Sequence, residues 1–441
     1  MAIIQNGQTY FYNFGTTEKG KHQLPTQHTA YEIGSISKTF TGLLLAQAVL
    51  EKRVSLDADI RQYLKGDYPN LEYQGQPIQL RHLANTTSSL PDNLPDLRST
   101  LEKANPDSIP FIIRKITSSY TKQDYYHDLH AVKLDTVPGL IRRHSNAAAQ
   151  LLAYILENVY QMPYEQLLAK YIEQPLQMKA TVVAGGGPDL LAVGYNEKGA
   201  RMPYDFIDKV EAAGGLRYSP AEMIKYVKHQ LNETDKAVAL SHQPTWGTVE
   251  EEAMGLSWLI HKTVDSKRAL THTGGTFGFA SYCAVYPELG FGIVLFSNES
   301  DRETQGVLRQ TAEQVMDGIY GVPPALKALQ TGLRAGGTQP LDVYTSVKKK
   351  HPELHLTEDY VNEWGYALAR QGKIKQAIGL FKLNVGLYPN NWNTYDSLAE
   401  ACEMSGDSAL AIANYKRSLV LNPRNKGAVE HLQKLGQAAG K

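Results

Sequence analysis

In the opening stretch "MAIIQNGQTYFYNFG", apolar and polar residues alternate on either side of Asn6-Gly7. That pattern predicts a strand, a two-residue turn and a second strand. The period then changes. Phe40, Leu43, Leu44, Ala48 and Val49 recur at helical spacing, so a buried helix is expected directly after "YEIGSISK". "LDADIRQYL" follows, and helical and loop patterns rich in Tyr, Leu and Ala continue to about residue 185. Strand-like runs return late, at "MGLSWLIHK" (254–262), "RALTHTG" (268–274), "FASYCAVYP" (279–287) and "FGIVLFSN" (291–298). Strands at both ends with helices between them predict an α/β domain. Its antiparallel sheet is assembled from the two ends of the segment and flanked by helices, with a helical subdomain inserted. An amphipathic helix around 303–319 is expected to close it.

Residues 321–356 break the pattern with "GVPPALKALQTGLRAGGTQP" and a basic "KKK" at 348–350. They read as a linker with one short helix at most. Beyond 357 the chain repeats itself. Gly365 and Ala399, Ala377 and Ala411, Phe381 and Tyr415, and Pro389 and Pro423 each stand 34 residues apart. Small residues where helices cross, an aromatic at the packing position and a proline after the second helix resemble tetratricopeptide repeats. The expected organisation is therefore a domain over 1–320, a linker over 321–356 and an all-α module over 357–441 ending in a capping helix. Two repeats and a cap fall short of the three that such arrays usually need. The module is thus expected to dock on the first domain or on a second subunit, a route to a protein partner or to self-association.

Bulk properties narrow the picture without deciding it. The 441 residues are enough for two or three domains, and 42% hydrophobic with 20% charged residues is ordinary for a globular chain. Forty-five basic residues balance 45 acidic ones, which removes the electrostatic footprint of a nucleic-acid binder. Cys283 and Cys402 are too far apart and too few for a disulfide framework, and a cysteine metal site is not expected. No apolar run reaches the roughly 18 residues that a membrane span needs. The N-terminus has no charged and apolar leader pattern, so a secretion signal is either absent or already removed. The location is periplasmic or secreted in the second case and cytoplasmic in the first.

Three segments are candidates for chemistry. Ser-x-x-Lys occurs at Ser35/Lys38, Ser119/Lys122 and Ser346/Lys349, but only the first opens an apolar helix. Ser35 is either a helix cap or a nucleophile. In the second case Lys38, one turn on, lies on the same face and is desolvated into a neutral base. "His144-Ser145-Asn146" precedes another apolar helix; it supplies a cap, or an imidazole and an amide to the same site. "LTHTGGTFGF" carries His272, Thr273, Gly274 and Gly275, which form a glycine-rich hairpin or a strand edge that a ligand approaches closely.

Taken in order, "SISK", "HSN" and "HTG" resemble the Ser-x-x-Lys, Tyr-x-Asn and Lys-Thr-Gly set of the serine β-lactamases and penicillin-binding proteins. "YFYNFG", "LRHLANTTSSLP", "YIEQPLQM" and "AGGLRYSPAEM" extend the likeness toward the class C β-lactamase and D-alanyl-D-alanine peptidase group, over roughly residues 1–320. The resemblance implies a cleft between an α/β and a helical region, and an acyl-enzyme mechanism with no metal or organic cofactor. It implies Ser35 as nucleophile, Lys38 as base, and the N–H groups of Ser35 and Gly275 as oxyanion hole. Asn146 would hold a substrate amide, while His272, Thr273 and Gly274 would face the substrate. Two departures matter. His144 stands in place of tyrosine, where a histidine can still transfer protons near neutrality. His272 stands in place of lysine, which moves weight from penicillins toward esters and uncharged amides. Thr86 and Ser89 stand where related sequences carry His and Gly. The expected activity is a serine hydrolase acting on a small amide, β-lactam or ester; the alternative is a non-catalytic binding protein built on the same cleft.

Overall fold

The computed structural model describes residues 1–179, 191–205, 211–335 and 339–439. Asn6 and Gly7 adopt φ of 50° and 80°, the left-handed pair that a two-residue hairpin requires. They join β1 (Ala2–Gln5) to β2 (Gln8–Phe11) in register from Ala2↔Phe11 to Gln5↔Gln8. Six late strands complete the sheet: β3 (Trp246–Thr248), β4 (Glu252–Met254), β5 (Leu259–Lys262), β6 (Arg268–Gly275), β7 (Ala280–Tyr286) and β8 (Phe291–Ser297). Their spatial order is β2-β1-β8-β7-β6-β5-β4-β3. The expected meeting of the two ends occurs where β1 pairs antiparallel with β8, Ala2 opposite Val294 and Gln5 opposite Phe291. All seven residues of β7 are buried, as befits a central strand covered on both faces, whereas β2 at the edge is largely exposed.

One local reading changes. "MGLSWLIHK" is not one strand: β4 and β5 form a hairpin closed by Gly255 N–H to Trp258 O (2.8 Å), with Ser257 at φ 66°. Leu256 N–H turns away to Ser241 O (2.9 Å), so apolar residues at the turn serve the core and not the ladder. The helix expected after "YEIGSISK" is α1 (Ser37–Leu50), and it is buried from Ser37 to Ala46. Leu45 and Ala46 lie between the residues singled out by period and are fully buried too. A helix apolar all round sits inside a domain instead of on its surface. α1 packs with the sequence-distant helix Asn146–Tyr160 and with Lys236–Ser241 in the main core.

The chain divides into two compact units, Met1–His261 with Arg268–Val315, and Lys262–Lys267 with Met316–Lys441. The second unit is helical. Residues 321–356, expected as a linker, contain two helices, Pro324–Ala335 and Pro340–Lys350. Each begins on a proline, whose fixed φ and missing N–H suit the first turn of a helix. Ala325 and Leu329 pack in one cluster with Val361, Leu380 and Leu383, so these helices lengthen the helical array. Helices Glu358–Arg370 and Ile374–Leu387 recur 34 residues later as Trp392–Met404 and Ser408–Leu421, and Lys426–Ala439 follows. A Cβ on Gly365 would collide with the Phe381 ring, which shows why a small residue stands at that crossing. Among the described residues no helix is long and apolar enough to cross a membrane.

Candidate active site

Ser35 lies in a single 3-10 turn, Gly34–Ile36, just before α1. Gly34 has φ 52°, and a Cβ there would collide with the backbone of Gly275, so only glycine lets the turn approach β6 this closely. The short strand Tyr31–Glu32 pairs with Arg217–Tyr218 and fixes the chain entering the turn. Ser37 Oγ donates to Gly34 O (2.7 Å) and accepts from Leu216 N–H (3.3 Å), fixing the exit. No side chain caps α1. Ser35 Oγ therefore does not satisfy the helix end; it meets Lys38 Nζ at 2.7 Å.

Lys38 is 2% exposed. Its Nζ also donates to Asn146 Oδ1 (2.8 Å) and to Ala213 O (2.5 Å). Burial lowers its pKa to about 7, opposed by the charge of Asp92. A neutral amine has two N–H bonds and one lone pair. The amide and carbonyl oxygens can only accept, so in that form the lone pair is left for the Ser35 hydroxyl.

The "HSN" segment divides its tasks. Ser145 is the N-cap of α2 (Asn146–Tyr160), accepting from Ala148 N–H at 3.0 Å and donating to Pro91 O at 2.7 Å. That frees Asn146 for the site, where its Nδ2 also donates to Asn93 Oδ1 (2.9 Å). His144 Nδ1 donates to Asp92 Oδ1 at 2.6 Å, leaving Nε2 as the atom available to a ligand. That hydrogen bond holds the Asp92 carboxyl below the usual range, with desolvation opposing. Backbone N–H groups of Asn146 and Ala147 bind Asp92 O (2.7 and 3.1 Å), so the loop bearing Asp92 is tied to the helix that follows His144.

On β6, half-buried His272 donates from Nδ1 to Thr273 O (2.6 Å), which again leaves Nε2 as an acceptor. Desolvation and, second, the charge of Lys38 push its pKa down to about 3, so it is neutral. Thr273 and Gly275 are exposed on the same edge. Gly274 does not face the cleft: a Cβ there would collide with Ile33 O, which also accepts from Ser281 Oγ at 2.8 Å. Its expected place facing the substrate is corrected accordingly; Gly274 lets β6 pack against the Ser35 turn.

Ser35, His144, Asn146, His272, Thr273 and Gly275 thus line one cleft of about 850 Å³, with Lys38 beneath. Sequence reasoning missed Asp92, Asn93 and the Ala213 carbonyl. The polar "PDN" after "SSLP" marks the first two as loop residues; nothing in the sequence marks a carbonyl. Thr86 and Ser89, which precede this loop, both hold left-handed backbone, φ 60° and 62°. Arg143 N–H binds Thr86 O (2.8 Å), and Ser89 Oγ donates to Asp135 Oδ1 (2.9 Å).

Residues 1–315 match the family described as beta-lactamase, and the chain belongs to that family. It is 25% identical over 309 residues to the D-alanyl-D-alanine-carboxypeptidase/endopeptidase AmpH of Escherichia coli K12, covering 66% of this chain and 77% of the relative. It is 26% identical over 344 residues to a beta-lactamase of Pseudomonas fluorescens, covering 68% and 88%. The octameric penicillin-binding protein homologue of Pyrococcus abyssi shares the fold at TM-score 0.59 and 22% identity, over 75% of this chain and 76% of that one. A class C beta lactamase of Rhodobacter sphaeroides does so at TM-score 0.57 and 23% identity, over 72% and 93%.

Proposed function

We propose that this chain is a serine hydrolase that works through an acyl-enzyme and prefers uncharged esters or amides. The observation that carries the proposal is the buried Lys38 amine, 2.7 Å from Ser35 Oγ, with its pKa lowered to about 7. Ser35 Oγ attacks the substrate carbonyl carbon while Lys38 takes the hydroxyl proton. Backbone N–H groups of Ser35 and Gly275 stabilise the oxyanion. The bond to the leaving group breaks, that group receives the proton held by Lys38, and the acyl group remains on Ser35. Water then attacks the acyl carbon, His144 Nε2 takes its proton, and the carboxylic acid departs as Ser35 recovers a proton. Asp92 keeps the His144 ring turned for this task. Asn146 orients Lys38 and the substrate amide or carbonyl, and His272 and Thr273 flank the leaving group.

The substrate preference follows from charge. β-Lactams and D-alanyl peptides present a carboxylate, which needs a cation where it is desolvated. Here Lys38 loses its charge as pH rises through about 7, His272 is neutral, and Arg98 at the cleft is bound to Asp96 (2.5 Å). A panel of nitrocefin, a D-alanyl dipeptide and a short nitrophenyl ester, with mass spectrometry after a fluorophosphonate, tests the proposal. Ester turnover above the other two and an adduct lost in Ser35→Ala support it. No adduct on the native chain removes the enzyme reading.

The 34-residue offset of the C-terminal helix pairs supports reading them as tetratricopeptide repeats, and we propose that this module brings two copies of the chain together. Sedimentation of the full chain over a concentration series tests this: a dimerising species supports it, and a monomer at every concentration contradicts it.

A further inference from the structure

The cleft is much larger than a short ester needs. Its volume of about 850 Å³ is near the upper end for small-molecule sites. Its lining includes Ser35, His272 and Thr273. The same lining includes the apolar side chains of Leu94, Leu97, Leu101 and Ile113 and the rings of Tyr120 and Tyr154, together with the charged side chains of Asp96, Arg98, Asp205 and Glu211. Tyr120 binds its hydroxyl to Asp128 Oδ2 (2.8 Å), which leaves its ring as wall.

The helix Ile109–Ser119 shows why this surface is not ordinary core. "IPFIIRKI" puts isoleucines on successive turns, yet Thr117 is the only buried residue of the helix. Ile113, which lines the cleft, is only half-buried. Apolar side chains left half-open beside a reactive hydroxyl are available to an apolar ligand. Of the charged side chains that line the same cleft, Asp92 is paired with His144 and Asp96 with Arg98, and Asp205 and Glu211 line it as well.

We infer that the part of the cleft lined by Leu94, Leu97, Leu101 and Ile113 is an acyl-chain subsite, so that the substrate class is an uncharged ester or amide with an extended apolar acyl group. This rests on the serine-hydrolase reading above. It is continuous with the site where that acyl group would be held through both half-reactions, which singles out substrate as its occupant instead of a protein segment. A fully buried methylene contributes about 0.8 kcal/mol, about four-fold in an equilibrium constant. Half-open walls return less, so the expected gain is about two-fold per methylene.

The test is kcat/KM for nitrophenyl acetate, butanoate, hexanoate and octanoate, each kept below its aggregation limit. The native chain should favour octanoate over acetate by about sixty-fold. Ile113→Asp and, separately, Leu97→Asp should lower that ratio at least ten-fold, and Ile113→Leu should preserve it. If both esters turn over and the ratio is near one, or if the aspartate variants leave it unchanged, the subsite is refuted while the Ser35 reading stands. If no ester turns over and no fluorophosphonate adduct forms, the Ser35 reading fails and the subsite with it.

Discussion

Two serines, each just before a buried helix, have opposite fates. Ser145 adopts the extended backbone of an N-cap (φ −154°, ψ 108°), and its hydroxyl accepts from Ala148 N–H. Ser35 sits in a 3-10 turn behind a left-handed glycine, caps nothing and meets an amine. Both sequences satisfy the same rule for a helix start. The difference lies in what faces each hydroxyl. Ser145 donates to the Pro91 carbonyl, so its oxygen is held between two backbone groups; Ser35 faces a lysine denied solvent and a wide cleft. Backbone conformation and the group one turn on thus decide whether a serine at a helix start caps the helix or is left facing a cleft.

Four substitutions press on that contrast. Ser35→Ala should lower ester kcat/KM by roughly 10⁴-fold or more with little change in melting temperature. Lys38→Met removes the base but leaves the hydroxyl, and about 10³-fold loss is expected. Asp92→Asn should cost about ten-fold in kcat with KM little altered, because the lost interaction positions His144 in the second half-reaction. Mass spectrometry should then show acyl-enzyme accumulating. Ser145→Ala should reverse the pattern of Ser35→Ala: about 1 kcal/mol of stability is lost, roughly 2 °C in melting temperature, and turnover is nearly retained. Equal effects of the two alanine substitutions on both readouts would erase the distinction.

The parts legible in the sequence were those encoded locally. The Asn6-Gly7 turn, the last three strands and the 34-residue offset depend on neighbours in the chain. Ser35 and Lys38 are one helical turn apart, so their meeting follows from helix geometry. Asn146 was reachable only through its resemblance to a known motif, since 108 residues separate it from Lys38. Asp92 was not reachable at all. A loop aspartate is usually solvated, and its partnership with His144 exists only after the chain has folded. The proline-rich stretch failed for a different reason: Pro324 and Pro340 were read as breaks, whereas each occupies the first position of a helix. Gly274 failed because two adjacent glycines can serve opposite faces of one strand.

The central claim is that an uncharged Lys38 makes Ser35 reactive, and the pH dependence of acylation tests it most directly. The quantity is the second-order rate constant for modification of Ser35 by a fluorophosphonate between pH 5 and 9, which excludes the deacylation assigned to His144. Because burial lowers the Lys38 pKa to about 7 and the base is the deprotonated form, the rate should rise through that pH and level off above it. His272, held at about 3, is neutral throughout and adds no limb. In Lys38→Met the reaction should be slow and lack the rise. A native profile flat from pH 5 to 9, or one that Lys38→Met leaves intact, would contradict the account.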